Sequence, residues 1–210
     1  MMKTMKGLFI SFEGIEGTGK TIQSKLLSEY LTKKGLRVVL TEEPGGTRIG
    51  RSIRDILLAI DNSNMTPLTE LFLYNASRVQ HVKEVIIPAI KQGKVVITDR
   101  FSDSTVAYQG YGRGIALDLI NAMQHTVMEG LKPDKTILLD LDVATGLKRN
   151  RGINKEDRLE LEDISFHKRV RDGYHVLAEK EPERIHVIDA SKSIEHIHDS
   201  VKNVVEELLS

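Results

Sequence analysis

Residues 14–21 read Gly14-Ile15-Glu16-Gly17-Thr18-Gly19-Lys20-Thr21, a complete G-x-x-x-x-G-K-T, and no other segment restricts the possible folds as strongly. Glycines let successive backbone N–H groups curl around a phosphate. The lysine brings charge to its outer oxygens, and the threonine hydroxyl suits Mg2+. Such a loop belongs between a strand and a helix. Leu8-Phe9-Ile10-Ser11-Phe12 supplies the apolar run of a buried strand, and residues 21–34 carry apolar side chains at helical spacing up to Gly35. Strand, loop and helix N-terminus together form an anion site. The phosphate-loop candidates for binding a nucleotide are Gly14, Glu16, Gly17, Thr18, Gly19, Lys20 and Thr21.

The rest of the chain repeats this alternation. Short aliphatic runs at 38–41, 95–98, 137–141 and 185–188 lack polar alternation, as strands covered on both faces do. Helices are expected over 48–60, 67–92, 115–129, 143–150, 159–180 and 194–209. Pro67 suits a first helical position, whereas Pro88 should kink the long third segment or end it early. There is no repeat, low-complexity tract or linker in the 210 residues. The expectation is therefore one α/β domain over residues 1–210, with three α/β/α layers, a five-stranded parallel sheet and ligands at the strands' carboxyl ends.

Lys plus Arg and Asp plus Glu number 30 each, so net charge gives no reason to expect a nucleic-acid polymer or an anionic membrane as partner. The absence of cysteine excludes a disulfide framework, a thiol nucleophile and a Cys-held metal. The basic start, residues 1–6, leads into an apolar stretch too short for a signal peptide, and no apolar run is long enough to span a bilayer. A soluble cytoplasmic protein is expected.

Charged residues gather after the predicted strands. Asp99 directly follows Val95-Val96-Ile97-Thr98 and is placed to hold Mg2+ together with Thr21. Arg48 and Arg100 fall on neighbouring rim loops, where planar guanidinium forks can clamp a second phosphate. Tyr74 and Arg78 are four apart on the third helix and share a face, as a ring and a guanidinium reading a base would. Arg149 and Arg151 lie in a basic stretch, about 148–158, that suits a mobile lid over a transferring phosphoryl group. Asn154-Lys155-Glu156-Asp157 spells N-K-x-D, but it follows a basic run rather than a strand, and D-x-x-G is missing, so a GTPase is rejected. The seven histidines show no metal-ligand spacing.

Taken together, Phe12 to Thr21, Glu43-Pro44-Gly45-Gly46-Thr47, Ala76-Ser77-Arg78, Asp99-Arg100-Phe101 and Ala107-Tyr108-Gln109-Gly110 resemble the bacterial-type thymidylate kinase family, in order and over nearly the whole chain. The resemblance implies a P-loop kinase fold and transfer of the γ-phosphoryl group of ATP to dTMP with Mg2+, on the route to dTTP. It implies that Lys20 and the loop amides bind ATP, with Thr21 serving Mg2+ and Glu16 near the deoxyribose 3′-hydroxyl. Arg48 and Arg100 would hold the dTMP phosphate, Arg100 also lying near the transferred group. Arg78 and Gln109 would read the thymine edge, Thr105 would lie near the base, and Tyr108 would pack on the sugar. The family commonly stacks the base on Phe; here that position is Tyr74. Residues 189–192 resemble the loop bordering adenine, and a homodimer is implied. Which of Arg149, Arg151 and Lys155 reaches the γ-phosphate stays open, because Arg151-Gly152 comes earlier than the family's spacing. Two other readings share parts of this pattern: a kinase for another nucleoside monophosphate, differing in the base pocket, and an ATP-binding regulatory module without an acceptor.

Overall fold

The computed structural model describes residues 7–151 and 157–209. Five strands, β1 (Leu8–Glu13), β2 (Val38–Glu42), β3 (Val95–Asp99), β4 (Lys135–Asp140) and β5 (Ile185–Asp189), form one parallel sheet in the order β2-β3-β1-β4-β5. The helices are α1 (Lys20–Lys33), α2 (Arg48–Leu58), α3 (Pro67–His81), α4 (Ile87–Lys91), α5 (Ser102–Thr105), α6 (Leu117–Met128), α7 (Val143–Arg151), α8 (Ile164–Lys180) and α9 (Ile194–Leu209). They cover both faces of the sheet, as the uninterrupted aliphatic strands require.

Strand side chains alternate between the two faces. Ile10 and Phe12 join Ile97, Ile137 and Leu139 against Leu27 and Leu31 of α1 and Val201 and Val205 of α9. Phe9 points the other way, onto Val96, Val82, Ile86 and Phe101. On that second face the buried Ser11, Glu13, Thr98 and Thr136 replace aliphatic residues. The register opposes Phe12 to Asp99 and Glu42 to Asp99, so the carboxyl ends of the three strands finish level and their polar side chains meet at one rim.

Capping residues fix where the key helices begin. The Thr47 hydroxyl accepts from the N–H of Gly50 and the Thr66 hydroxyl from the N–H of Thr69, with Pro67 in the first turn. The long third segment does not break at Pro88. Residues Val82–Ile86 form a π-turn in which the N–H of Ile87 donates to the carbonyl of Val82, and α4 carries on through the proline. The wider turn displaces the carbonyls that the ring would strike, and Pro88 needs no N–H donor of its own. Two expectations are corrected. α8 begins at Ile164 rather than 159, because the carboxylate of Asp163 caps the N–H of Phe166 at 2.7 Å. The stretch after β3 is helical: α5 runs directly into a π-helical segment, Val106–Gly112. Its glycines are there for packing. A Cβ on Gly110 would meet Leu117 at 2.7 Å, and one on Gly112 would meet Phe166 at 2.7 Å.

Candidate functional site

A cleft of about 760 Å³ opens at the carboxyl ends of the strands, between the glycine loop, the β2–α2 loop, α3, the 104–109 helix, α7 and the loop before α9. The glycine loop needs its glycines at Gly14, Gly17 and Gly19, with φ of 135°, 72° and 90°. Contact adds a second reason at Gly17, where a Cβ would lie 2.0 Å from the carbonyl oxygen of Gly146 on α7. Lys20 begins α1, and its ammonium donates to the carbonyl of Ile15 at 2.7 Å. Burial, reinforced by the charge of Arg100, pushes it down to about 8. Beside it the hydroxyl of Thr21 donates to Asp99 Oδ2 at 2.6 Å, which joins the two residues expected to serve a metal.

Arg100 lies at the centre of the cleft floor. It is in the left-handed region, with φ of 69°, unusual for a residue with a side chain. Such strain costs about 1–3 kcal/mol and persists only where the surroundings impose it. Here the N–H of Arg100 donates to Phe12, and the guanidinium donates to five oxygens: Gly14 O, Ser104 Oγ, Tyr174 OH, Glu16 Oε1 and Tyr108 OH, at 3.0–3.3 Å. Glu16 Oε1 also accepts from the Tyr108 hydroxyl at 2.5 Å. Burial alone would raise the Glu16 carboxyl. His167, Arg100, Lys20 and Tyr108 outweigh it and hold the group well below the usual carboxylate range. Under this layer lies Glu13, which accepts from the N–H of Phe101 and the hydroxyls of Ser104 and Tyr174. Burial and the nearby Asp103 carboxylate push Glu13 up to about 7. Tyr174 and Ser104 therefore tie the arginine to the sheet, and neither was singled out from the sequence.

On the far wall, Tyr74, Thr105, Tyr108 and Gln109 line the cleft. Burial raises the Tyr74 phenol. Arg78, expected to read the thymine edge, lies beside this wall, bonded to Thr105. It is 1% exposed and donates to Glu43, Thr105 and the carbonyl of Phe101. Arg48 is corrected outright. It is exposed at the first residue of α2 and does not line the cleft; Arg54 does, donating to the carbonyl of Pro44 at 2.8 Å. Helical phase contained the signal, since Arg54 is four residues after buried Gly50 and three before buried Leu57. Arg149 lines the donor end and donates to the carbonyl of Ala190 at 3.0 Å. The side chain of Arg151 and residues 152–156 of the expected lid at 148–158, Gly152 and Lys155 among them, lie outside the described residues. Of the loop at 189–192, Ala190 and Lys192 line the cleft. Asp157 and Glu160 also line it and were not foreseen.

A parallel sheet of this order, with a phosphate loop after its central strand and a second basic site across the cleft, defines a P-loop kinase. The thymidylate kinase family model matches residues 12–201. Thymidylate kinase of Pelobacter propionicus is 50% identical over 201 residues, covering 93% of this chain and 92% of that protein. Thymidylate kinase of Halothermothrix orenii is 50% identical over 208 residues, covering 98% and 99%. The crystal structure of thymidylate kinase from Ehrlichia chaffeensis superposes with a TM-score of 0.78 at 40% identity, covering 95% of this chain and 98% of that one. The chain belongs to the thymidylate kinase family and is a dTMP kinase. Among the described residues no helix is long and apolar enough to cross a membrane.

Proposed function

We propose that the cleft transfers the γ-phosphoryl group of ATP to dTMP with the donor on the glycine loop and the acceptor against Tyr74, Thr105, Tyr108 and Gln109. The position of Arg100 carries this reading: its guanidinium bonds Gly14 and Glu16 of the donor loop and Tyr108 of the acceptor wall. An oxygen of the dTMP phosphate attacks the γ-phosphorus, the bond to the bridging oxygen breaks, and ADP leaves. The attacking phosphate is already an anion at neutral pH, so no general base is needed. Alignment and charge neutralisation do the rest. Lys20 and the loop amides hold the donor phosphates. Arg100 and Arg54 hold the acceptor phosphate, and Arg100 stays in contact with the group in flight. Glu16 anchors Arg100 and faces the sugar beside Tyr108. Arg149 covers the donor, with Arg151 as the second basic lid residue. Thr21 and Asp99 are hard oxygen donors 2.6 Å apart and suit Mg2+, which neutralises donor-phosphate charge when bound.

ADP release from ATP and dTMP, titrated with Mg2+, tests the metal assignment. Asp99→Asn is expected to raise the Mg2+ requirement roughly tenfold or more; an unchanged Mg2+ dependence contradicts it. The product feeds dTTP synthesis, and the protein works in the cytoplasm. Exposed Ile49 and Ile56 on α2 and Leu68 and Phe72 on the adjoining α3 support a homodimer through these helices.

A further inference from the structure

Glu70, in the first turn of α3, is a carboxylate with no exposure, surrounded by donors from distant parts of the chain. Its Oε1 accepts from Gln109 Nε2 at 2.9 Å and from Arg113 Nε at 3.1 Å. Its Oε2 accepts from Arg113 Nη2 at 3.0 Å and pairs with Arg158 Nη2 at 2.5 Å. Burial alone would raise the carboxyl. Hydrogen bonds from Arg113 and Gln109, with the charges of Arg113 and Arg158, hold it below the usual range. Glu70 is thus ionised at neutral pH, and an ionised carboxylate only accepts.

That property decides the orientation of its neighbour. A glutamine amide offers two donors on one side and an acceptor on the other, and either can be turned to a given partner. Gln109 is 1% exposed and lines the cleft. Against Glu70 it must present its nitrogen, so its carbonyl oxygen is the end left for a ligand. Among the described residues no group donates to that oxygen.

We propose that Glu70 is the positioning residue that sets base specificity: by fixing the amide of Gln109, it makes the cleft present an acceptor to the edge of the base. A pyrimidine with an N3–H, thymine or uracil, supplies the matching donor. Cytosine has an unprotonated N3 there, and two acceptors would face each other with water excluded. A site built around one hydrogen bond rejects the mismatched analogue strongly, because a buried polar group is left unpaired. Arg113 and Arg158 keep the carboxylate charged, so the selection reaches through α3 to Arg158.

The inference rests on the placement of the base at Gln109 and is tested by the ratio of kcat/KM for dTMP to that for dCMP. In Glu70→Gln the new amide can donate or accept, Gln109 can turn over, and the ratio should fall at least ~tenfold. The dTMP to dUMP ratio should stay unchanged, since both bases carry N3–H. Loss of stability alone lowers all acceptors together and moves neither ratio. Glu70→Asp should keep most of the discrimination. Because Glu70→Gln strands buried arginines, the charge-balanced pair Glu70→Gln with Arg158→Gln is measured alongside it. A dTMP to dCMP ratio within twofold of the parent in either folded variant overturns the proposal. Gln109→Leu separates the two claims. If it leaves the ratio intact, the base is not at Gln109. If it collapses the ratio while Glu70→Gln does not, the role of Glu70 alone fails. In the unaltered protein, the side-chain NH2 protons of Gln109, assigned by their loss in Gln109→Leu, should resist solvent exchange; free exchange overturns the proposal without any change to Glu70.

Discussion

Arg100 combines the two unusual properties of this cleft: a left-handed backbone and a guanidinium held by five oxygens. The strain is tolerated because the side chain is fixed before substrates arrive, and fixed charge costs no reorganisation during transfer. Arg100→Ala should lower kcat by about 10²–10³ or more with a smaller change in the KM for ATP; near-normal turnover contradicts its role. Lys20 gives a pH prediction whose sign follows from its depressed value of about 8 in the free protein. The ammonium form attracts phosphate, so binding takes up a proton wherever the free lysine has lost one. ATP affinity should be level below pH 7 and weaken as pH rises through 8, with Kd at pH 9 about tenfold that at pH 7. Calorimetric Kd values that stay flat across that interval contradict it.

The strands were legible because burial on both faces leaves nothing but aliphatic runs, and the glycine loop because its backbone demands specific residue types. The 102–112 helix was hidden for the opposite reason. Glycine weakens a helical pattern, yet Gly110 and Gly112 are glycines because Leu117 and Phe166 leave no room for a side chain. α7 shows the same effect at the donor site. A Cβ on Gly146 would stand 2.5 Å from the backbone oxygen of Glu16, so this helix packs directly on the phosphate loop. Helix propensity alone makes Gly146→Ala stabilising by about 0.5–1 kcal/mol. Overpacking against an immobile backbone costs about 1–3 kcal/mol and should win. The variant is therefore expected to melt lower and to show a raised KM for ATP more than for dTMP; a higher melting temperature would show that the contact is slack.

Over the whole molecule, the parallel sheet and the cleft at its carboxyl ends followed from the alternation of strands and helices, whereas the polar interior did not. Glu70 and Arg113 are 43 residues apart, and Glu13 and Tyr174 are 161 apart, so each pair is made by the fold and leaves no local pattern. Charged residues are also expected outside, which is why buried Glu70, Arg78 and Arg158 carried no signal of their depth. The proposed homodimer would cover the exposed apolar residues on α2 and α3. Phe72 is 56% exposed. Phe72→Glu should shift the mass measured by light scattering from dimer to monomer with little change in the fold; a parent protein that is already monomeric contradicts the assignment. The central claim, a cleft built for one acceptor, is tested most directly by ADP release from Mg-ATP with dTMP, dUMP, dGMP, CMP and AMP offered one at a time. Release that strongly favours dTMP is the predicted result. Comparable or faster release with CMP, AMP or dGMP would contradict the base pocket, and no release with any acceptor would contradict the kinase site itself.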